Sequence, residues 1–183
     1  MMDHFYQEID GWFTYPNLYE KFVNTMQNGS RIAEIGVWKG CSICYLGVLI
    51  KNSGKDITAY AVDTWKKMET EDYHDDLQFK DDALYLEFLE TITPISDIVI
   101  PARGTSLEVC MTFPDKYFDI VFIDACHDYP CIKSDLLNWL PKVKDGGIIS
   151  GHDIGFPGVS QAVSETFESD KINIQELSWW VQL

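Results

Sequence analysis

The sequence has few basic residues and lacks any apolar run long enough to cross a bilayer. Only 14 lysines and arginines stand against 29 aspartates and glutamates, which gives a formal charge of −15. This charge repels phosphate backbones and anionic lipid, so it argues against nucleic-acid and membrane binding. The apolar runs are of strand length, far below the ~20 residues of a membrane-spanning helix. A basic start followed by an apolar stretch is also lacking, so a cytoplasmic protein is expected.

A disulfide framework is not expected either. The five cysteines are an odd number, and they lie inside or beside apolar segments, where reduced and mostly buried thiols are the simpler interpretation. Cys41 and Cys44 form a C-x-x-C pair, a spacing typical of redox or zinc sites. The pair falls at the start of a helix that follows a glycine loop, and this position argues against such a role. The chain of 183 residues has no internal repeat and no linker-like stretch. A single domain over residues 1–183 is therefore expected.

What the sequence does contain is an alternation of strand-length apolar runs with segments of helical period. This alternation predicts a Rossmann-like, doubly wound α/β fold, in which helices cover both faces of a mainly parallel sheet. One or two closing strands are predicted between Ile172 and Leu183, and the sheet is predicted to have seven strands. The five parallel strands are predicted at residues 31–36, 57–63, 97–102, 118–124 and 147–151.

Two segments lie outside this alternation. Residues 1–30 are predicted to form an N-terminal helical arm, in which Leu18 and Phe22 lie on one helix face. Within the arm, residues 10–13 are expected either to line the opening of a substrate pocket or to anchor the arm to the rest of the protein. Residues 66–93 are too long for a plain connection and hold nine acidic residues against three lysines. This segment is interpreted as a lid insertion, or alternatively as a solvated helix face with a loop.

The loop after the first strand carries the clearest functional signal. Glu34, Gly36 and Gly40 stand in the spacing E-x-G-x-x-x-G at the carboxyl end of a strand, where open α/β sheets bind ligands. A dinucleotide fingerprint is G-x-G-x-x-G, and a carboxylate at its head would repel a pyrophosphate. The same carboxylate complements the ammonium and sulfonium of S-adenosylmethionine. Asp63, at the end of the second strand, is expected to accept both hydroxyls of a ribose, as in sites for any nucleoside cofactor.

A second polar cluster is predicted at the same edge of the sheet. Strands four and five are neighbours in this fold, so their carboxyl ends bring together Asp124, His127, His152 and Asp153. Asp124, His152 and Asp153 are candidate ligands for a divalent metal such as Mg²⁺, Mn²⁺ or Zn²⁺. His127 is a candidate base that removes a proton from a substrate hydroxyl. The alternatives are that the histidines bond loop backbone only, and that Asp124 orients the cofactor without a metal.

Four motifs occur in order between about residues 31 and 167, namely EIGVWKGCSICYLG, AVDTW, ARGTSLEV and FDIVFIDACHDYPCIKSDLLNWLPKVKDGGIISGHDI. Together they resemble the class I S-adenosylmethionine-dependent methyltransferases, and within them the small group called methyltransferase family 24. The resemblance implies that the methionine part of the cofactor is held by the loop residues Glu34, Gly36, Val37, Trp38 and Gly40.

The same resemblance implies where the rest of the cofactor lies. Asp63 would hold the ribose, and Thr64 or Trp65 would flank the adenine. The stretch that borders the adenine is matched by Gly104, Thr105 and Ser106. Asp124 would end the strand under the reactive methyl group, and Ala125 after it departs from the Gly or Asp of many relatives.

Metal-dependent members of the family that the sequence resembles support a metal-binding role for the second cluster. Catechol and macrolide-sugar O-methyltransferases place an acid at the position of Asp124 and a ligand pair at those of His152 and Asp153. The sugar enzymes also have a histidine three residues after the first acid, as His127 follows Asp124 here.

These observations predict an S-adenosylmethionine-dependent methyltransferase that acts on a hydroxyl of a small acceptor, such as a sugar or related metabolite. Asp124 and His127 are its predicted catalytic residues. Two alternatives stay open: a cofactor-binding module without its own catalysis, and an NAD-dependent oxidoreductase. Trp179 and Trp180 in the last strand are expected to pack at the sheet edge or between the subunits of a homodimer.

Overall fold

The computed structural model describes residues 1–67 and 76–183, and a seven-stranded sheet forms its centre. Five parallel strands are β1 (Ser30–Ile35), β2 (Ile57–Asp63), β3 (Val99–Arg103), β4 (Phe118–Ile123) and β5 (Val143–Gly151). Two short strands, β6 (Asn173–Gln175) and β7 (Ser178–Gln182), close the sheet in antiparallel pairing. The strand order is β3-β2-β1-β4-β5-β7-β6. The predicted Rossmann-like α/β fold with seven mainly parallel strands is confirmed.

Helices cover both faces of this sheet. They are α1 (Pro16–Thr25), α2 (Cys41–Ser53), α3 (Ala83–Thr91), α4 (Ser106–Cys110), α5 (Tyr129–Trp139) and α6 (Pro157–Thr166). The residues of α1, α2 and α3 contribute to one buried cluster, and those of α4, α5 and α6 to the other. The parallel strands feed both clusters because successive side chains point to opposite faces. Ile32 thus joins the first cluster and Ala33 the second.

The predicted strand limits agree with the structure within two residues, except at the start of β5. This strand begins at Val143, which pairs with Phe118, and the register between the two strands then shifts before Ile120. The stretch from Lys144 to Gly147 is polar and glycine-rich, so the sequence pattern there indicates a loop. The irregular pairing lets it continue the strand instead.

The N-terminal arm packs against α2. The backbone nitrogen of Met2 donates to Asn52 Oδ1 at 2.6 Å, and Asn52 Nδ2 donates back to the Met2 carbonyl at 2.9 Å. Phe13 packs against Tyr45 of α2 and Tyr15, with ring centroids 4.9 and 4.8 Å apart. The arm therefore runs along α2, and Thr14 and Tyr15 at its end reach the carboxyl ends of β4 and β5 before α1 begins.

The predicted lid at residues 66–93 falls partly on residues 68–75, which lie outside the described residues. Its second half contains α3, as the helical spacing predicts, and buries Leu84 and Phe88. All five cysteines are free, but only Cys44 and Cys110 are buried, because the other three lie where loops and helix starts reach the surface. No helix among the described residues is both long and apolar enough to span a membrane.

Candidate active site

The loop after β1 lies directly against the end of β4. Gly36 has a φ of 88°, and a Cβ added there would stand 2.3 Å from the carbonyl oxygen of Asp124 and 2.6 Å from the Cα of Ala125. The approach is fixed by backbone bonds, because Gly36 donates to the Val62 carbonyl and Asp124 donates to the Ile35 carbonyl, each at 2.8 Å. Only glycine fits this position, since any side chain would separate the loop from β4.

Asp63 ties this loop to the end of β2. Its Oδ2 accepts the backbone N–H groups of Val37 and Trp38 at 3.0 and 2.9 Å, and its Oδ1 accepts that of Trp65 at 2.8 Å. A carboxylate has about four acceptor positions, so the protein's own donors occupy most of them. The structure shows Asp63 as the anchor of the loop, and its contact with a ribose stays a prediction.

The residues predicted to surround an adenine divide into two groups. Thr64, Gly104 and Thr105 line a cleft of about 260 Å³ beside the end of β3. Trp65 lies in the core instead, only 1% exposed, because its ring packs on Tyr85 and Phe88 of α3 and its Nε1 donates to the Trp38 carbonyl. Of the two predicted neighbours of the adenine, Thr64 is therefore the one in the cleft.

Ser106 is turned toward α5. Its hydroxyl donates to Asp135 Oδ1 and accepts from Trp139 Nε1 at 2.8 Å. Thr105 and Glu108 form a capping box that starts α4, and their side chains border the cleft.

Glu34 has no exposed surface, although it stands at the head of the glycine loop. It faces the layer of α1 and α2, as do Ile32 two residues before it and its neighbour Phe122 on β4. The Ser42 hydroxyl donates to Glu34 Oε1. Burial raises the pKa of Glu34 to about 8, against the opposing effect of hydrogen bonds from Ser42 and Tyr19. The predicted contact with a cationic cofactor stays a prediction, since this carboxyl is covered by protein.

The second cluster forms where β4 and β5 end, as the strand order predicts. One ligand atom each from Asp124, His152 and Asp153 lies within 4.8 Å of the other two. His152 Nδ1 is 3.2 Å from Asp153 Oδ1 and 3.7 Å from Asp124 Oδ1. Two carboxylate oxygens and an imidazole nitrogen in this arrangement fit a divalent cation with positions left for other ligands.

His127 reaches the same cluster from the loop after β4. Its Nε2 lies 2.8 Å from Asp153 Oδ2, and its ring stacks on Phe156 with centroids 4.5 Å apart. The side chain is 41% exposed, so a ligand at the rim can touch it. Asp153 adopts a φ of 58°, a region seldom used by residues other than glycine, and its carboxylate contacts both histidines.

The charges of the cluster depend on one another. Burial raises the pKa of Asp124 to about 6, although His152 and the Tyr15 hydroxyl act against it. Burial alone would also raise the pKa of Asp153, but hydrogen bonds from His127 and His152 hold it well below its usual range. For His152, burial lowers the pKa, and the contacts with Asp153 and Asp124 outweigh it, so the net direction is upward.

Two residues of the N-terminal arm also reach this cluster. Thr14 Oγ1 lies 2.9 Å from His152 Nε2, and the Tyr15 hydroxyl donates to Asp124 Oδ2 at 2.7 Å. Nothing in the sequence pattern singles out either residue, because periodicity does not tell where an arm crosses the sheet. Their position just before Pro16, which begins α1, is the only related signal.

Comparison with known families agrees with this geometry. A family model described as a methyltransferase domain, that of methyltransferase family 24, matches residues 33–154. The match takes in the glycine loop, Asp63 and the cluster of Asp124, His152 and Asp153. The chain therefore belongs to this family, whose fold is that of the class I methyltransferases.

A curated relative is the uncharacterized protein y4gI of Sinorhizobium fredii, which is 24% identical over 156 residues. The aligned region covers 82% of this chain and 16% of the relative, so the chain spans about a sixth of that protein's length.

Solved structures show the same fold. The O-methyltransferase NovP has a TM-score of 0.67 at 16% identity, with 91% of this chain and 78% of NovP covered. Cofactor-bound Rv0187 from MTB has a TM-score of 0.65 at 15% identity, with 96% and 84% covered. MycE, solved with Mg, SAH and mycinamycin VI, has a TM-score of 0.57 at 16% identity, with 92% and 48% covered. At these identities the similarity shows the fold alone.

We expect Asp63→Asn to lower the free energy of unfolding by about 1–3 kcal/mol, because the amide NH₂ would face a backbone N–H that the carboxylate now accepts. Urea titration measures this change. Asp56→Asn is the matched control, since Asp56 is exposed just before the same strand. Equal stability of the two variants would contradict the anchoring role.

We expect Glu34→Gln to remove part of the pH dependence of stability. Between pH 4.5 and about 8 the unfolded chain releases the Glu34 proton while the folded protein keeps it, so the wild type loses stability as the pH rises. Each pKa unit corresponds to about 1.4 kcal/mol, so the variant should gain on the order of a few kcal/mol relative to the wild type across this range. Urea titrations at pH 5, 7 and 9 measure the difference, and parallel curves would refute the expectation.

Proposed function

We propose that this protein transfers the methyl group of S-adenosylmethionine to a hydroxyl of a small acceptor, at the edge of the sheet where β1, β4 and β5 end. The observation that carries the proposal is the contact between the Gly36 loop and the end of β4, beside which His127 and Asp153 are paired at 2.8 Å. This contact puts the predicted cofactor loop and a candidate base at one rim. Membership of a methyltransferase family supports S-adenosylmethionine as the methyl donor.

The protein's own residues have two tasks in such a reaction. S-adenosylmethionine supplies a methyl group on a sulfonium, and the transfer requires an acceptor oxygen held in line with it. The loop held by Asp63, together with the cleft at Thr64, Gly104 and Thr105, would hold the cofactor. The polar rim around Asp124 would orient the acceptor.

His127 would remove the proton from the acceptor hydroxyl. In the tautomer that donates from Nε2 to Asp153 Oδ2, the lone pair that accepts a proton is on Nδ1. The Asp153 carboxylate then stabilises the imidazolium that forms. An imidazole can both take up and release a proton, which suits this exchange.

The donor set of Asp124, His152 and Asp153 fits a divalent cation. Such a cation, when bound, lowers the pKa of the acceptor's hydroxyl and so eases its deprotonation. Mg²⁺ and Mn²⁺ suit the carboxylates, and Zn²⁺ and Mn²⁺ are the better partners for the imidazole.

A sugar or a related polyol metabolite is the acceptor class that we propose. MycE, which shares the fold, was solved with Mg, SAH and mycinamycin VI. The polar rim offers hydrogen-bonding partners for several hydroxyls, and the net charge of −15 disfavours polyanionic acceptors.

Binding of the cofactor product distinguishes the proposal from the NAD-dependent alternative. S-adenosylhomocysteine should raise the melting temperature of the wild type in a dose-dependent way, whereas NAD should not, because ligands stabilise the state that binds them. A shift with NAD and none with S-adenosylhomocysteine would contradict the proposed donor and favour the NAD-dependent alternative.

The reaction itself is tested with S-adenosylmethionine labelled in its methyl group and a panel of hydroxyl-bearing metabolites that includes sugars. His127→Ala should lower kcat by about 10²–10⁴-fold with unchanged affinity for S-adenosylhomocysteine. The matched control is His4→Ala, since His4 packs on Tyr6 and Tyr45 and not on the cluster. A His127→Ala variant with wild-type turnover would remove His127 as the base, and no labelled product from any acceptor would favour a binding module without catalysis.

A further inference from the structure

We propose that Thr14 and Tyr15 are positioning residues, which fix the atoms of His152 and Asp124 that face a divalent cation. The inference rests on the cation site of the proposed function and assigns a task to the N-terminal arm. Both residues lie just before α1, and each makes one hydrogen bond to a different member of the cluster.

The orientation of the His152 ring decides which nitrogen a cation meets. Nδ1 faces the carboxylates, at 3.2 Å from Asp153 Oδ1 and 3.7 Å from Asp124 Oδ1. Nε2 faces the other way and lies 2.9 Å from Thr14 Oγ1. Nδ1 is therefore the ligand nitrogen of the ring.

Ligation at Nδ1 requires that the proton of the neutral ring be on Nε2. His152 is only 8% exposed, so this N–H depends on a protein acceptor, and Thr14 Oγ1 supplies it. Without that acceptor, the ring favours the tautomer that donates from Nδ1 to Asp153, which competes with the cation. Partners of this kind commonly set the tautomer of metal-bound histidines.

Tyr15 acts on Asp124 in a similar way. Its hydroxyl donates to Oδ2 at 2.7 Å, while Oδ1 is the oxygen on the side of His152. The Tyr15 ring is 2% exposed and packs between Phe122 and His152, with centroid distances of 4.7 and 4.8 Å. The donor is thus held in place, and it leaves Oδ1 for the cation.

The arm itself is held by contacts that do not involve the cluster. Met2 and Asn52 are joined by two hydrogen bonds, and Phe13 packs on Tyr45 of α2. The arm therefore brings Thr14 and Tyr15 to the rim whether or not a cation is bound. On this basis the cation site is complete only when the arm is docked on the sheet.

The test is the affinity of the full chain for Mn²⁺, measured by calorimetry. Thr14→Val replaces the hydroxyl by a methyl group of similar size, and Tyr15→Phe removes only a hydroxyl. Each should weaken Mn²⁺ binding by about 10–100-fold, the usual effect of losing a partner of a metal ligand. Thr14→Ser keeps the hydroxyl and should retain wild-type affinity. Thr14 is exposed, so its substitution leaves the core unchanged.

Tyr19→Phe is the matched control for Tyr15→Phe. Tyr19 is buried in the same aromatic cluster, 5.1 Å from the Tyr15 ring and 5.2 Å from Phe122, but its hydroxyl lies near Glu34. This variant should bind Mn²⁺ like the wild type. If Thr14→Ser or Tyr19→Phe lost affinity as much as their partners, the effect would come from packing and the inference would be wrong.

Imidazole ¹⁵N spectra with Zn²⁺ provide a second readout that is independent of turnover. The wild type should show His152 protonated at Nε2 and ligated at Nδ1, and Thr14→Val should lose this pattern. Wild-type affinity in both Thr14→Val and Tyr15→Phe would overturn the inference and leave the proposed function intact. A wild type that binds neither Mn²⁺ nor Zn²⁺ would overturn the inference and the cation site together, while methyl transfer would be judged by the labelled product.

Discussion

The close approach of Gly36 to the end of β4 is the constraint on which the candidate site depends. A glycine with positive φ lets the β1 loop touch the backbone of Asp124 and Ala125 without a side chain between them. The predicted cofactor loop and the polar cluster are for this reason neighbours, although their residues are about 90 positions apart in the chain. Asp63 holds the loop in this position from the other side, through the backbone N–H groups of Val37 and Trp38. These contacts fix the backbone around the candidate site, and the ionisable side chains project from that fixed backbone.

Burying a carboxyl beside this loop costs free energy of folding. Glu34 lies wholly inside the layer of α1 and α2, where Ser42 donates a hydrogen bond to it and the Tyr19 hydroxyl lies nearby. A buried carboxyl of this kind is uncommon and is usually kept neutral at moderate pH.

The sequence predicts the architecture well because the relevant signals are local. Strand-length apolar runs and helical periods define the sheet, and the meeting of Asp124 with His152 and Asp153 follows from strand order alone. What the sequence does not show is the direction of side chains and the contacts between distant residues. The alternation of side chains along β1 turns Glu34 inward, and a positive φ at Trp65 turns that ring into the core, where α3 covers it. The contacts of Thr14 and Tyr15 join residues 138 and 109 positions apart, which no local pattern reveals.

The span between Thr14 and His152 also has a consequence for the order in which the molecule assembles. Contacts between distant segments form slowly, since the loop between them must close first. During synthesis from the N-terminus, Thr14 and Tyr15 leave the ribosome long before β5 exists to receive them. The two hydrogen bonds that join the arm to the candidate site can therefore form only after the later strands have been synthesised.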